Sequence, residues 1–163
     1  MKIIQNAENH SDLNESRLRS LLDEILARPL FAHLATASES GARESPVWFL
    51  WEDEALWIIG NYKTDTFPSR VERESRCSIG VVDFNVSTGL VQHVGLRGEA
   101  TVQPHDVVKA KHLLSRYLGN EQEQWDTRFL QVLGNTDFVM VCFVPETAVV
   151  RDQSYTVNEN TRA

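Results

Sequence analysis

Cysteine is scarce in this sequence, cationic side chains are outnumbered, and no apolar run is long. The two cysteines, Cys77 and Cys142, sit in separate strand-like apolar runs. That spacing argues against a disulfide framework and for core thiols in a reducing compartment. Lys plus Arg total 16 against 23 Asp plus Glu, a formal charge of −7. A protein that grips a nucleic-acid backbone carries a basic surface, so no nucleic-acid partner is expected. No apolar stretch reaches the length of a membrane span, so no membrane partner is expected either. The opening residues "MKIIQNAENHSD" lack the apolar segment of a signal peptide, and a cytoplasmic protein is expected.

Chemical motifs are missing too. His and Cys do not cluster at metal-ligand spacing. Ser40, Ser69 and Ser78 lack a nucleophile elbow. There is no Ser/His/Asp triad, no Gly-rich nucleotide motif and no pair of metal carboxylates. If the chain is an enzyme, a bound cofactor carries the chemistry and the protein supplies position and electrostatics.

What is present is a chain of 163 residues with strong periodicity, expected to form one domain with a polar, loose tail from about Arg151. "SDLNESRLRSLLDEILARP" predicts a helix with Leu18, Leu21, Leu22, Ile25 and Leu26 on one stripe, capped by Ser11 or Asn14 and stopped by Pro29. Strands are predicted over Phe31–Ala37, Arg43–Trp51, Ala55–Gly60 and Cys77–Phe84. A long fifth covers Leu90–Val102, where Gly95 and Gly98 suggest a bend or bulge. A helix opens at Pro104 and Asp106, with Val107, Val108, Ala110, Lys111, Leu114 and Leu118 as its inner face, and ends at Gly119. A short helix around "WDTRFLQVLGN" and a last strand, Asp137–Val150, complete the pattern. Tight turns make the early strands antiparallel. The fold class is mainly β: a six-stranded antiparallel barrel, closed or partly closed, with flanking helices.

One segment breaks the pattern. "GNYKTDTFPSRVERESR", Gly60 to Arg76, separates two strands with donors, hydroxyls and a proline. A phosphate needs several N–H or O–H donors converging on one point, with positive charge nearby. A helix start at Pro68 supplies free N–H groups. Thr64 and Thr66 add hydroxyls, and Lys63 and Arg70 add charge. Asp65 would repel a phosphate and is expected to cap the helix instead. The plain alternative is that Thr and Asp cap a connecting helix whose "RVERESR" face is solvated.

The chain resembles the pyridoxamine 5'-phosphate oxidase-like, FMN-binding split-barrel family over about Phe31 to Val102. The likeness lies in "FAHLATASESGARESPVWFLWEDE", "ALWIIGNYKTDTFPSRVERESRCSIGVV", "VQHVGLRGEATV" and the helical segment after Pro104, in that order. It implies an antiparallel split barrel, a homodimer, and one FMN in each of two clefts between subunits. It also implies a flavin-dependent oxidoreductase acting on a small molecule. A flavin binder without turnover, or the same fold holding deazaflavin or haem, are the alternatives. By the same resemblance the cofactor-binding residues are Pro46, Val47, Trp48 and Phe49 beside the ring, and Asn61, Lys63, Thr64, Thr66 and Arg70 about the phosphate, with Phe67, which cannot donate, packing against the barrel or the flavin edge. Gln92 and His93 approach from the partner subunit. The family's usual "S-R-K" triplet is Asp65-Thr66-Phe67 here, so its Arg-Lys pair is absent and pyridoxamine phosphate oxidation itself is not expected. Taken singly, the tryptophans also suit a barrel core and rim, and His33 suits a structural role. Trp125 suits either a cleft cover or a packing anchor.

Overall fold

The computed structural model describes residues 1–4 and 14–157. The elements in chain order are β1 (Lys2–Ile4), α1 (Glu15–Leu26), β2 (Ala32–Ser38), β3 (Gly41–Val47), β4 (Leu50–Glu52), β5 (Ala55–Asn61) and α2 (Phe67–Arg73). These are followed by β6 (Arg76–Asn85), β7 (Leu90–Pro104), α3 (Val107–Leu118), α4 (Thr127–Gly134) and β8 (Phe138–Asp152). A 3-10 turn, Gln122–Gln124, joins the last two helices. The fold is mainly β, as expected, with eight strands among the described residues rather than six. Among the described residues no helix is long and apolar enough to cross a membrane.

The strands pair in the order β3-β2-β6-β7-β8-β5-β4, antiparallel throughout, and β1 adds to β8 in parallel. The curved sheet therefore stops at β3 on one side and β4 on the other, and the barrel is split between them. The long strands β7 and β8 form its spine. Their register slips once, between Arg97 and Gly98. A Cβ at Gly98 would lie 2.1 Å from the Val144 carbonyl oxygen, so the bulge requires glycine there. Gly95 stays in register with Gly80 and Val149.

Alternation divides the apolar residues into two cores. Inward-facing Leu34, Ile58, Ile79, Val81, Val94, Leu96 and Val150 meet the α1 stripe, Leu18, Leu21, Leu22, Ile25 and Leu26, inside the barrel. Full burial of each such side chain is worth about 1.5–3 kcal/mol. On the other face of β5 and β8, Trp57, Ile59 and Met140 pack beneath α3 and α4. The Asn14 carboxamide oxygen caps α1 by accepting the Arg17 N–H at 2.9 Å. Ser11, the other expected cap, lies outside the described residues.

Four expectations need correction. The predicted second strand breaks after Val47, because the Phe49 N–H donates to the Tyr117 hydroxyl at 3.1 Å instead of joining a ladder. Pro104 ends β7 rather than opening α3, whose cap is Asp106 through the Lys109 N–H. The buried face of α3 is therefore Ala110, Leu113 and Leu114, while Val107, Val108 and Lys111 are exposed. The described part of the tail, residues 151–157, is tied down: Arg151 and Asp152 belong to β8, and the Gln153 and Tyr155 N–H groups donate to the Val91 and Gly89 carbonyls at 2.8 and 2.9 Å.

Candidate functional site

A cavity of about 470 Å³ lies where the barrel is split. Residues 44–48, from β3 and its exit, form one wall. Since β3 ends the sheet, the backbone groups on its outer edge have no strand to pair with among the described residues. Opposite stand Ile59 of β5, the loop from Thr64 to Phe67, and Leu114, Phe129 and Val132 from α3 and α4. The cavity is thus a mostly apolar slot with one polar backbone rail, which is what a flat heteroaromatic ring requires.

Trp48 shapes this slot without offering a free face. Its indole is stacked on Tyr117 at 4.5 Å and on Phe129 at 5.3 Å. The Tyr117 hydroxyl donates to the Leu30 carbonyl at 2.7 Å, so the stack is anchored to the chain on either side of β2 and β3.

A second hollow, of about 510 Å³, adjoins the first; Asp65 and Thr66 line both. At its floor is Arg70, only 7% exposed. Its Nε donates to Thr36 Oγ1 at 2.7 Å, its Nη1 to Thr66 Oγ1, and its Nη2 to Ser45 Oγ at 3.3 Å. Three hydroxyls from three elements hold the guanidinium, and no carboxylate among the described residues lies within salt-bridge distance of it. Burial, together with the nearby Arg43 and Arg73, pulls its pKa below the usual arginine value. A buried cation without an anion is costly, and an incoming anion relieves that cost. The donor set therefore fits a phosphate.

The loop before α2 is held differently from the sequence expectation. Asp65 Oδ2 accepts the Asn61 N–H at 2.9 Å, tying the loop back to β5 rather than capping α2. Thr66 stands at the helix start but makes no capping bond, because its hydroxyl faces Arg70. Gly60 is required beneath it: a Cβ there would come within 2.8 Å of Pro68 Cγ and 3.1 Å of the Phe67 ring.

Of the expected site residues, Pro46, Val47, Trp48, Thr64, Thr66 and Phe67 line the first cavity, and Thr66 and Arg70 line the second. Asn61 is buried beside them and accepts the Lys63 N–H through its carboxamide oxygen. The Lys63 ammonium lies on the surface, 2.5 Å from Asp137, and lines neither hollow. Phe49 is fully buried, and the Tyr117 hydroxyl engages both its N–H and its carbonyl. Gln92 and His93 alternate to opposite faces of β7. The Gln92 carboxamide is committed within the chain, accepting from Arg28 at 2.7 Å and donating to Asp152 at 2.9 Å. His93 lines a separate groove of about 530 Å³ on the outer sheet face, with Arg151. Burial and the Arg151 charge lower its pKa.

Sequence reasoning missed Thr36, Ser45, Arg43, Arg73 and Phe129. Arg43 and Ser45 alternate along β3, a period-two signal that was there to read. The approach of Thr36 to Arg70 depends on tertiary packing alone. Among the described residues no cluster of metal-ligating side chains is present, and both cysteines are free.

A family model described as pyridoxamine 5'-phosphate oxidase matches residues 18–148. No curated protein matches the sequence. Among solved structures, the chain is similar to a conserved hypothetical protein from Mycobacterium tuberculosis (16% identity, 97% of this chain and 99% of that one, TM-score 0.71). It is also similar to an F420 reductase (23% identity, 77% and 94%, TM-score 0.58). A third is an FAD-binding protein from Mesorhizobium loti (16% identity, 87% and 96%, TM-score 0.62). At these identities the structures establish a shared fold.

Proposed function

The chain belongs to the pyridoxamine 5'-phosphate oxidase family, and on that premise we propose that it is a flavin-dependent oxidoreductase using a flavin 5'-phosphate, FMN at its smallest. The observation that carries this is Arg70, a buried guanidinium ringed by hydroxyls at the floor of an arginine-lined hollow that adjoins a mostly apolar slot. The phosphate would be held by Arg70 with the Thr66 and Ser45 hydroxyls, in place of the Arg-Lys pair that this sequence lacks. The free edge of β3 would meet the polar rim of the ring through backbone groups, while Phe67, Phe129 and Val132 exclude water. When bound, the flavin supplies hydride or electron transfer to or from a small substrate; the chain binds, orients and shields it. Lys63 takes no part in this arrangement.

We further propose a cytoplasmic homodimer with a small-molecule substrate. The outer sheet face supports it: Val82, paired with His93, and Phe84 are 49% and 60% exposed there. His93 Nδ1 and Arg151 Nε are buried on that face with no hydrogen-bond partner among the described residues. A second copy would cover the apolar residues and bring His93 towards its own flavin.

The absorption spectrum of purified protein reconstituted with FMN tests the reading. A resolved, red-shifted flavin band that stays with the protein through gel filtration is expected. A sharp Soret band from the protein as isolated, or loss of all FMN on the column, would contradict it. Oxidation of a reduced nicotinamide by the loaded protein then separates turnover from passive binding.

A further inference from the structure

We propose that the anion site continues beyond the first phosphate and takes a second one, so that this chain binds a flavin dinucleotide more tightly than FMN. This rests on the flavin reading above and extends it. The second hollow, about 510 Å³, is as large as the ring cavity of about 470 Å³. Hollows of that size enclose whole ligands. A single phosphate at the Arg70–Thr66 junction occupies one corner and leaves the rest unfilled.

The charge left over is positive. Arg43 from β3 and Arg73 from α2 line the hollow beyond Arg70. Among the described residues Arg43 has no carboxylate within salt-bridge distance, and its Nη2 donates to Ser40 Oγ at 2.7 Å. Arg73 has only Glu39, at 3.8 Å, whose side chain is 96% exposed. A pair that long and that wet holds the arginine weakly. The other acidic group on the lining, Asp65, is engaged with the Asn61 N–H. The Tyr62 hydroxyl is turned to Glu72. Arg43 and Arg73 are close enough to lower the proton affinity of the buried Arg70, and three guanidiniums against the two carboxylates of this lining leave a net positive charge that favours an incoming anion. One phosphate neutralises Arg70. A diphosphate would offer a second set of oxygens to Arg43 and Arg73 on the same lining, whose forked donors match phosphate oxygens. The Ser69 hydroxyl on the same lining adds a neutral donor.

Equilibrium titrations of riboflavin, FMN and FAD by flavin fluorescence test this, on the wild type and on Arg43→Ala and Arg73→Ala. Both substituted residues are exposed, and thermal unfolding checks that each variant folds. The expected order of affinity is riboflavin, FMN, FAD, with FAD about tenfold or more above FMN. Each variant should shrink the FAD-to-FMN ratio towards one. If FAD binds no more tightly than FMN, or if neither variant changes the ratio, the second phosphate site is overturned and the FMN reading stands. If FMN binds no more tightly than riboflavin, the first phosphate site falls and takes the second with it.

Discussion

At the scale of single residues, the site turns on how one arginine is buried. Arg70 sits in "RVERESR", a string that looks like a solvated helix face. Its spacing does not reveal that Thr36, Ser45 and Thr66 will close around it from three elements. The hydroxyls of the loop were legible in sequence, as was the apolar wall at Val47 and Phe67. The cation was misjudged: Lys63 seemed as good a donor as Arg70, yet a nearby Asp137 takes it to the surface. Arg70→Lys keeps the charge but loses the fork. FMN affinity should fall by about ten- to a hundred-fold, the worth of a charge-assisted hydrogen bond of about 1.5–3 kcal/mol, with riboflavin affinity unchanged. Thr66→Ala removes a neutral hydroxyl worth about 1 kcal/mol and should cost FMN about fivefold. Isothermal titration of both flavins reads each effect.

At the scale of elements, periodicity announced α1 and most strands, since a stripe of leucines and runs of β-branched residues depend on local rules alone. Two features escaped it. β1 is only three residues long, with no turn signal beside it. The break between β3 and β4 lies in the continuous apolar run "VWFLW", and its cause is a tyrosine hydroxyl 68 residues away. The two-residue turn between β4 and β5 carries a stability prediction. Asp53 and Glu54 both have positive φ, 53° and 59°, where such turns prefer Asn-Gly. Replacing both by Asn-Gly relieves a left-handed strain of about 1–2 kcal/mol at position 54, where glycine enters, partly offset by losing the Glu54–Arg19 ion pair. The melting temperature should rise. Asp106→Ala should lower it by removing the α3 cap, at a cost of about 1 kcal/mol. A third element-level effect is pH-dependent. The hydrogen bond from Lys109 holds the Glu52 carboxyl below its usual pKa, against a partial opposing effect of burial, and His112 adds to the lowering. A carboxyl whose pKa is depressed by folding stabilises the fold above its unfolded pKa, and that contribution disappears as pH falls through the folded value. Lys109→Met should therefore melt lower than wild type near neutral pH, with the gap closing in acid.

At the scale of the whole molecule, the split between β3 and β4 positions everything else. It leaves a strand edge unpaired, and α3 and α4 roof the gap that becomes the ring cavity. The antiparallel barrel and its family were legible because they depend on element order and tight turns. The second hollow was not, because Arg43, Arg70 and Arg73 converge only once β3 and α2 are folded together. The dimer belongs to this scale too. Light scattering on the flavin-loaded protein should give twice the chain mass at micromolar concentration, and Val82→Lys with Phe84→Lys on the outer face should shift it towards monomer. A monomeric wild type would remove the shared cleft. The central claim is narrower than any of these: the buried arginine of this split barrel holds a flavin phosphate. Side-by-side titration of FMN and riboflavin into the wild-type protein tests it most directly. FMN tighter by about ten- to a hundred-fold is predicted; equal affinities for the two would contradict it.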